Sequence, residues 1–134
     1  MPAPGDTGGH CLRDEHGSGT VLVAGAVVVL MAVAGAVLVV ASYLVAADYA
    51  RGAADLVAIS GAARVAQRGN GCTAAENVAH HNAVALVRCT VRGDSLDFVV
   101  SVTVRRPVTV GLPLLPDGVS ATSHAGRLGV INRG

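Results

Sequence analysis

Three cysteines and five histidines are the side chains of this 134-residue sequence best suited to covalent or metal chemistry. Cys72 and Cys89 sit in the C-terminal half, and Cys11 sits in a polar segment near the N-terminus. A folded segment of about 60 residues is marginal on apolar burial alone, so a covalent cross-link is the expected remedy. A Cys72–Cys89 disulfide is therefore expected; it would contribute around 3 kcal/mol in the chain-entropy picture, and it implies an oxidising compartment. Two free, buried thiols are the alternative, because cysteine is often a core residue. Cys11 follows Gly9-His10 and has no apolar stretch before it, which argues against lipid attachment and leaves a plain leader thiol.

Among His10, His16, His80, His81 and His124, only His80 and His81 are neighbours. Adjacent residues on a helix project about 100° apart, a poor geometry for one shared metal ion. Solvated histidines and no metal are expected. Gly17-Ser18-Gly19-Thr20 lacks the lysine of a phosphate-binding loop and opens an apolar run instead of following a strand. The sequence carries no nucleophile elbow, paired-carboxylate arrangement or metalloprotease helix. The expectation is a protein that is not an enzyme and uses no cofactor. Charge excludes another class: the formal net charge is +1, every basic residue is Arg, and there is one Phe, two Tyr and no Trp. Without a basic stripe or stacking platforms, no nucleic-acid partner is expected.

The elements that must hold these residues follow from the hydropathy pattern. Residues 1–17 are rich in Gly and Pro and carry Asp6, Arg13, Asp14 and Glu15, the composition of a flexible leader. From Ser18 to Ala47 there is no charged residue, and a bilayer core needs only about 20 apolar residues in a helix. The remaining chain is too short to wrap such a helix on all sides, so 18–47 is expected to span a membrane. Tyr43 and Tyr49 are the candidates for its distal interface.

Helical periodicity continues past the apolar run. Ala50, Ala53, Ala54, Val57, Ala58, Gly61, Ala62 and Val65 form one small-residue stripe, with Asp48, Arg51, Asp55, Arg64 and Arg68 opposite. One helix from about Thr20 to Gln67 is expected, on the order of 70 Å long, with 48–68 as its amphipathic extension and an Arg51–Asp55 pair on it. The stripe permits helix–helix self-association, although Ala is also simply a good helix former. Gly69-Asn70-Gly71 should end this helix, and Thr73-Ala74-Ala75-Glu76 fits a capping box for a short helix through about Ala83. A strand over Val84–Val91, a turn at Arg92-Gly93-Asp94 and an alternating strand from Leu96 to Val104 make an antiparallel hairpin. Pro107 should break or displace the second strand, and Val119–Ala125 can add a third. The fold class is a membrane-anchored α+β protein: a long N-terminal helix, then a small head at 69–126 with a short helix and a hairpin or three-stranded sheet, and a loose tail at 127–134.

Three segments together resemble one family. Glu15-His16-Gly17-Ser18-Gly19-Thr20-Val21-Leu22, Ala53-Ala54-Asp55-Leu56-Val57-Ala58, and the stretch from Cys72 to Val104 are similar to the actinobacterial TadE/TadG-like proteins of the Flp (tight-adherence) pilus-assembly system. Some members are labelled "helicase/secretion neighbourhood TadE-like", a description of gene context that implies no helicase activity. The resemblance covers about Gly17 to Arg105. It implies a class III, pilin-like signal cut by a prepilin peptidase after Gly17, leaving Ser18 as the new N-terminus and removing Cys11. It further implies a single-pass protein of the cell membrane with an extracytoplasmic head, whose partners are membrane lipid and pilus- or secretion-assembly proteins.

Two features depart from that pattern. Pilins commonly carry Glu at the fifth mature position, whereas this chain has Leu22 there, which suits a minor pseudopilin or membrane-retained factor better than a major pilin. Arg13 alone precedes the span while Arg51, Arg64 and Arg68 follow it, so the positive-inside rule by itself would put the head in the cytoplasm, against the cysteines and the family. Two rival readings remain: an unprocessed single-pass accessory subunit of an envelope complex, or a protein secreted after signal-peptidase cleavage behind Ala47. The second requires an apolar run much longer than the usual h-region of about 7–15 residues.

Overall fold

The computed structural model describes residues 2–5, 16–94, 96–109 and 112–129. Five elements follow in order: α1 (His16–Ala66), α2 (Gly71–His81), β1 (Ala85–Gly93), β2 (Phe98–Pro107) and β3 (Gly118–Arg127). The chain divides into two compact units, Met1–Val37 and Leu38–Gly134. Leu38–Ala47, the last part of the apolar run, thus belongs to the unit that holds the head. The leader's Cys11, His10, Arg13 and Asp6 lie outside the described residues.

In the first unit, α1 is apolar all round. Every residue from Gly19 to Val37 is exposed, including Leu22, Leu30 and Met31. A helix with no polar face has no side to offer water, so its stable surroundings are apolar.

In the second unit, α1 turns two-faced. Ala46, Ala50, Ala53, Ala54, Val57 and Ala58 are buried at i+3 and i+4 spacing, while Asp48, Arg51, Asp55 and Leu56 stay exposed. The stripe is covered by the chain's own head: by the sheet and, at Gly61, by the start of α2. A three-stranded antiparallel sheet in the order β1-β2-β3 supplies Phe98, Val100, Val102 and Val104 from its central strand, every second residue facing inward. Ala121 of β3 and Val84 join the same core, with Ala75 and Ala79 of α2. Small residues on the helix let the valines of β2 approach its backbone. At Gly61 the approach is tight: a Cβ there would stand 3.1 Å from Val100 Cγ1 and 3.2 Å from the Gly71 carbonyl oxygen.

Three local expectations need correction. α1 does end before Gly69-Asn70-Gly71, but the left-handed residue is Arg68, at φ 58°. The Gly69 N–H donates to the Arg64 carbonyl at 2.8 Å and the Arg68 N–H to that of Val65 at 2.8 Å, the paired bonds of a Schellman ending. The cap of α2 is Asn70, not Thr73. Asn70 has extended backbone, and its side-chain oxygen accepts the N–H groups of Cys72 and Thr73, both at 3.1 Å, so the helix begins one turn before the capping-box pattern. The Arg51–Asp55 pair does not form; Arg51 reaches back to Asp48 at 3.1 Å, and Asp55 accepts a hydrogen bond from Ser123 Oγ on β3. Asp55 is thereby turned to the sheet.

α2 closes at His81, with Ala83 left-handed at φ 51°, and β1 starts at Ala85. The β1–β2 register shifts between Leu86 and Arg88, leaving Val87 outside the ladder, mostly exposed. Leu96 is not part of β2; it lies in the turn and is exposed. Pro107 ends β2, paired with Gly118, and the third strand forms in full.

Candidate functional site

The candidate processing residues Gly17 and Ser18 fall in the first turn of α1. Leu22, at the fifth position from Ser18, is 74 % exposed and presents an apolar side chain there.

Beyond this edge the candidate surface is α1 itself. One helix among the described residues, Gly19–Ala66 within α1, is long and apolar enough to cross a membrane. Val21, Leu22, Leu30, Leu38, Leu44 and Val45 are all well exposed along it. An exposed apolar surface of this extent does not persist in water and marks contact with lipid or protein.

Where the apolar run meets the first charged residue, Asp48, a collar of polar contacts ties α1 to the head. Tyr49 Oη donates to the Asn82 carbonyl at 3.1 Å, and the Arg106 guanidinium carbon lies 3.9 Å from the centre of the Tyr49 ring. Tyr43 Oη donates to the Pro116 carbonyl in the β2–β3 loop. Arg105 pairs with Asp117 across the base of that loop. Both tyrosines stand out in the sequence as the chain's two Tyr residues, near the end of the apolar run. Their partners come from α2 and the β2–β3 segment, far along the chain, and no local pattern points to them.

The head is cross-linked as expected. Cys72 in the first turn of α2 and Cys89 of β1 form a disulfide, with their Cα atoms 5.8 Å apart. Cys89 pairs with Val102 in the ladder, so the bond fastens α2 to the core side of the sheet. The β1–β2 turn is held by Asp94. Its carboxylate accepts the N–H groups of Asp97 at 3.0 Å and Leu96 at 2.9 Å, and these bonds lower its pKa below the ordinary 3.8. Gly93, at φ 107°, supplies the positive dihedral that the turn needs.

The outward face of the sheet is polar. Arg88, Thr103 and Thr122 share one rung, and Thr90, Ser101 and His124 the next. Thr103 and Thr122 hydroxyls meet at 2.9 Å, and His124 Nδ1 lies 2.7 Å from Ser101 Oγ. His80 and His81 stand edge to face, with ring centres 6.3 Å apart, and His81 Nδ1 contacts the Asn77 carbonyl at 2.7 Å. Among the described residues no group of three or more His, Cys, Asp or Glu side chains converges on one point.

No known protein family, curated protein or solved structure matches this chain. What stands on its own geometry is a pilin-like architecture: a long apolar N-terminal helix followed by a small α+β head.

Proposed function

We propose that this chain is a non-catalytic, minor pilin-like component of a Flp/Tad-type pilus or secretion assembly, of the TadE/TadG-like kind. The observation that carries the reading is the use of α1 twice. Its apolar part is long enough to cross a membrane, and the same helix then supplies Ala50, Ala53, Ala54, Val57 and Ala58 to the core of the head. No linker separates the end of the apolar run from the head, so the head sits where the helix leaves the lipid. The Cys72–Cys89 disulfide supports an extracytoplasmic head in the cell membrane, since such bonds persist in oxidising compartments.

In this reading a prepilin peptidase cuts after Gly17. Removal of the charged leader leaves Ser18 at the start of a helix free to pack among other apolar helices of the assembly. Membrane lipid and assembly proteins are the partners. Leu22 withholds the acid on which pilin stacking relies, which suits a minor or membrane-retained component; the second reading is an unprocessed single-pass accessory subunit. Secretion by cleavage after Ala47 fits less well. That cut would strip the buried Ala46 from the head and break the Tyr43–Pro116 hydrogen bond.

The N-terminal residue of the protein isolated from cells decides among the three. Ser18 is expected; intact Met1 in a strain with active prepilin peptidase overturns processing, and Asp48 overturns the membrane-retained form.

A further inference from the structure

The described part of the β2–β3 loop, Leu112–Asp117, lies against Tyr43 in the uncharged run of α1, together with Val108. Tyr43 is not on the amphipathic extension. It sits five residues before Asp48, about 7 Å back along the helix into the uncharged run. The loop therefore reaches past the first charge on α1 to the level of the apolar run.

Its composition suits that level. Leu112-Pro113-Leu114-Leu115-Pro116 carries no charge, and Leu114 is 94 % exposed and Leu112 48 % exposed. The Tyr43 hydroxyl satisfies the Pro116 carbonyl, the Leu115 N–H donates to the Leu112 carbonyl at 3.1 Å, and Pro113 and Pro116 bring no N–H donors. Part of the backbone polarity is thus met within the protein, and the head-group layer, where water reaches, can meet the rest. Charged groups begin just behind it, where Asp117 pairs with Arg105 and Arg106 lies over Tyr49. Apolar tip, aromatic hydroxyl and arginines in that order match the layers of a membrane interface. Leu96, the exposed leucine of the β1–β2 turn, stands at the opposite end of β2 and has no such setting.

We infer that the β2–β3 loop is a second membrane contact: Leu112 and Leu114 enter the lipid head-group and upper acyl layer beside Tyr43, seating the head on the bilayer. The inference rests on α1 spanning the membrane. The head is already fixed to α1 by their shared core, so a second attachment restrains the tilt and rotation of the two together, and the outward face of the sheet keeps one orientation to the surface.

The chain has no tryptophan, so a single introduced indole reports alone. Full-length L114W, L96W and V29W proteins are reconstituted at low protein-to-lipid ratio into vesicles of phosphatidylethanolamine and phosphatidylglycerol, doped with lipid brominated at shallow or deep acyl positions. The L114W protein should emit at shorter wavelength than L96W and lose roughly half its intensity to shallow bromines, as an interfacial indole does. Emission from L96W should be unaffected by either lipid, and that from V29W should be quenched by deep bromines. Quenching of V29W, with L114W indistinguishable from L96W, overturns the loop contact and leaves the span intact. An unquenched V29W overturns both. Shielding of L114W that vanishes on further dilution of protein in lipid assigns the loop to a neighbouring copy and also overturns the lipid contact.

Discussion

Single residues in this protein carry costs and gains that can be measured one at a time. Arg68 and Ala83 both take left-handed backbone, at φ 58° and 51°, where a side chain costs about 1–2 kcal/mol. Glycine removes that cost and returns part of it through a freer unfolded chain. Arg68→Gly is therefore expected to raise stability by about 1 kcal/mol, a rise of several degrees in Tm for a domain of this size, read by circular dichroism in detergent. A lower Tm would mean that the Arg68 side chain contributes more than its backbone costs. Asp94 gives a pH signature. Its pKa is lowered by the Asp97 and Leu96 N–H groups, so its stabilising effect is complete above the unfolded value and is lost as pH falls through the folded one. Asp94→Asn should melt below the wild type at pH 7; the gap should start to narrow as the pH drops below the ordinary carboxylate value of 3.8 and close only below the lowered native one. A gap unchanged in acid would show that the carboxylate charge is not its source.

At the scale of elements, the decisive contact is the small-residue stripe of α1 under the valines of β2. Ala54 is buried there, and Leu56, two residues on, is exposed. Ala54→Leu should cost about 1–3 kcal/mol by overpacking, whereas Leu56→Ala should change stability by less than about 0.5 kcal/mol. Equal effects in thermal melts would refute the packing order. Much of this level is legible in the residues. The i+3, i+4 recurrence of Ala50, Ala53, Ala54 and Val57 marks a buried face, and the alternation of Phe98, Val100, Val102 and Val104 marks the strand that covers it. What periodicity does not encode is the occupant of a face, so the stripe by itself is equally compatible with a partner helix. The cap of α2 escapes the sequence for a different reason. Asn70 and Thr73 both suit the role by type, and only the extended backbone at Asn70, set by the chain reversal after Arg68, selects between them.

For the molecule as a whole, the legible and the illegible divide by sequence distance. The apolar run, the two head cysteines and the turn at Gly93-Asp94 are local signals, and each is readable. The Tyr43–Pro116, Tyr49–Asn82 and Asp55–Ser123 contacts join residues 73, 33 and 68 positions apart, and nothing near either partner foretells them. The placement of the β2–β3 loop belongs to this second kind. The shared core also sets an order of events during synthesis. α1 leaves the ribosome first, yet the strands that cover Ala50–Ala58 are made last, and β3 ends only at Arg127. Until then the stripe has no cover, and Cys72 can oxidise without β2 in place to hold Cys89 in register. Contacts so distant along the chain close slowly. Synthesis of this protein thus includes an interval in which a half-finished head trails a completed helix whose buried face is still open to whatever meets it first.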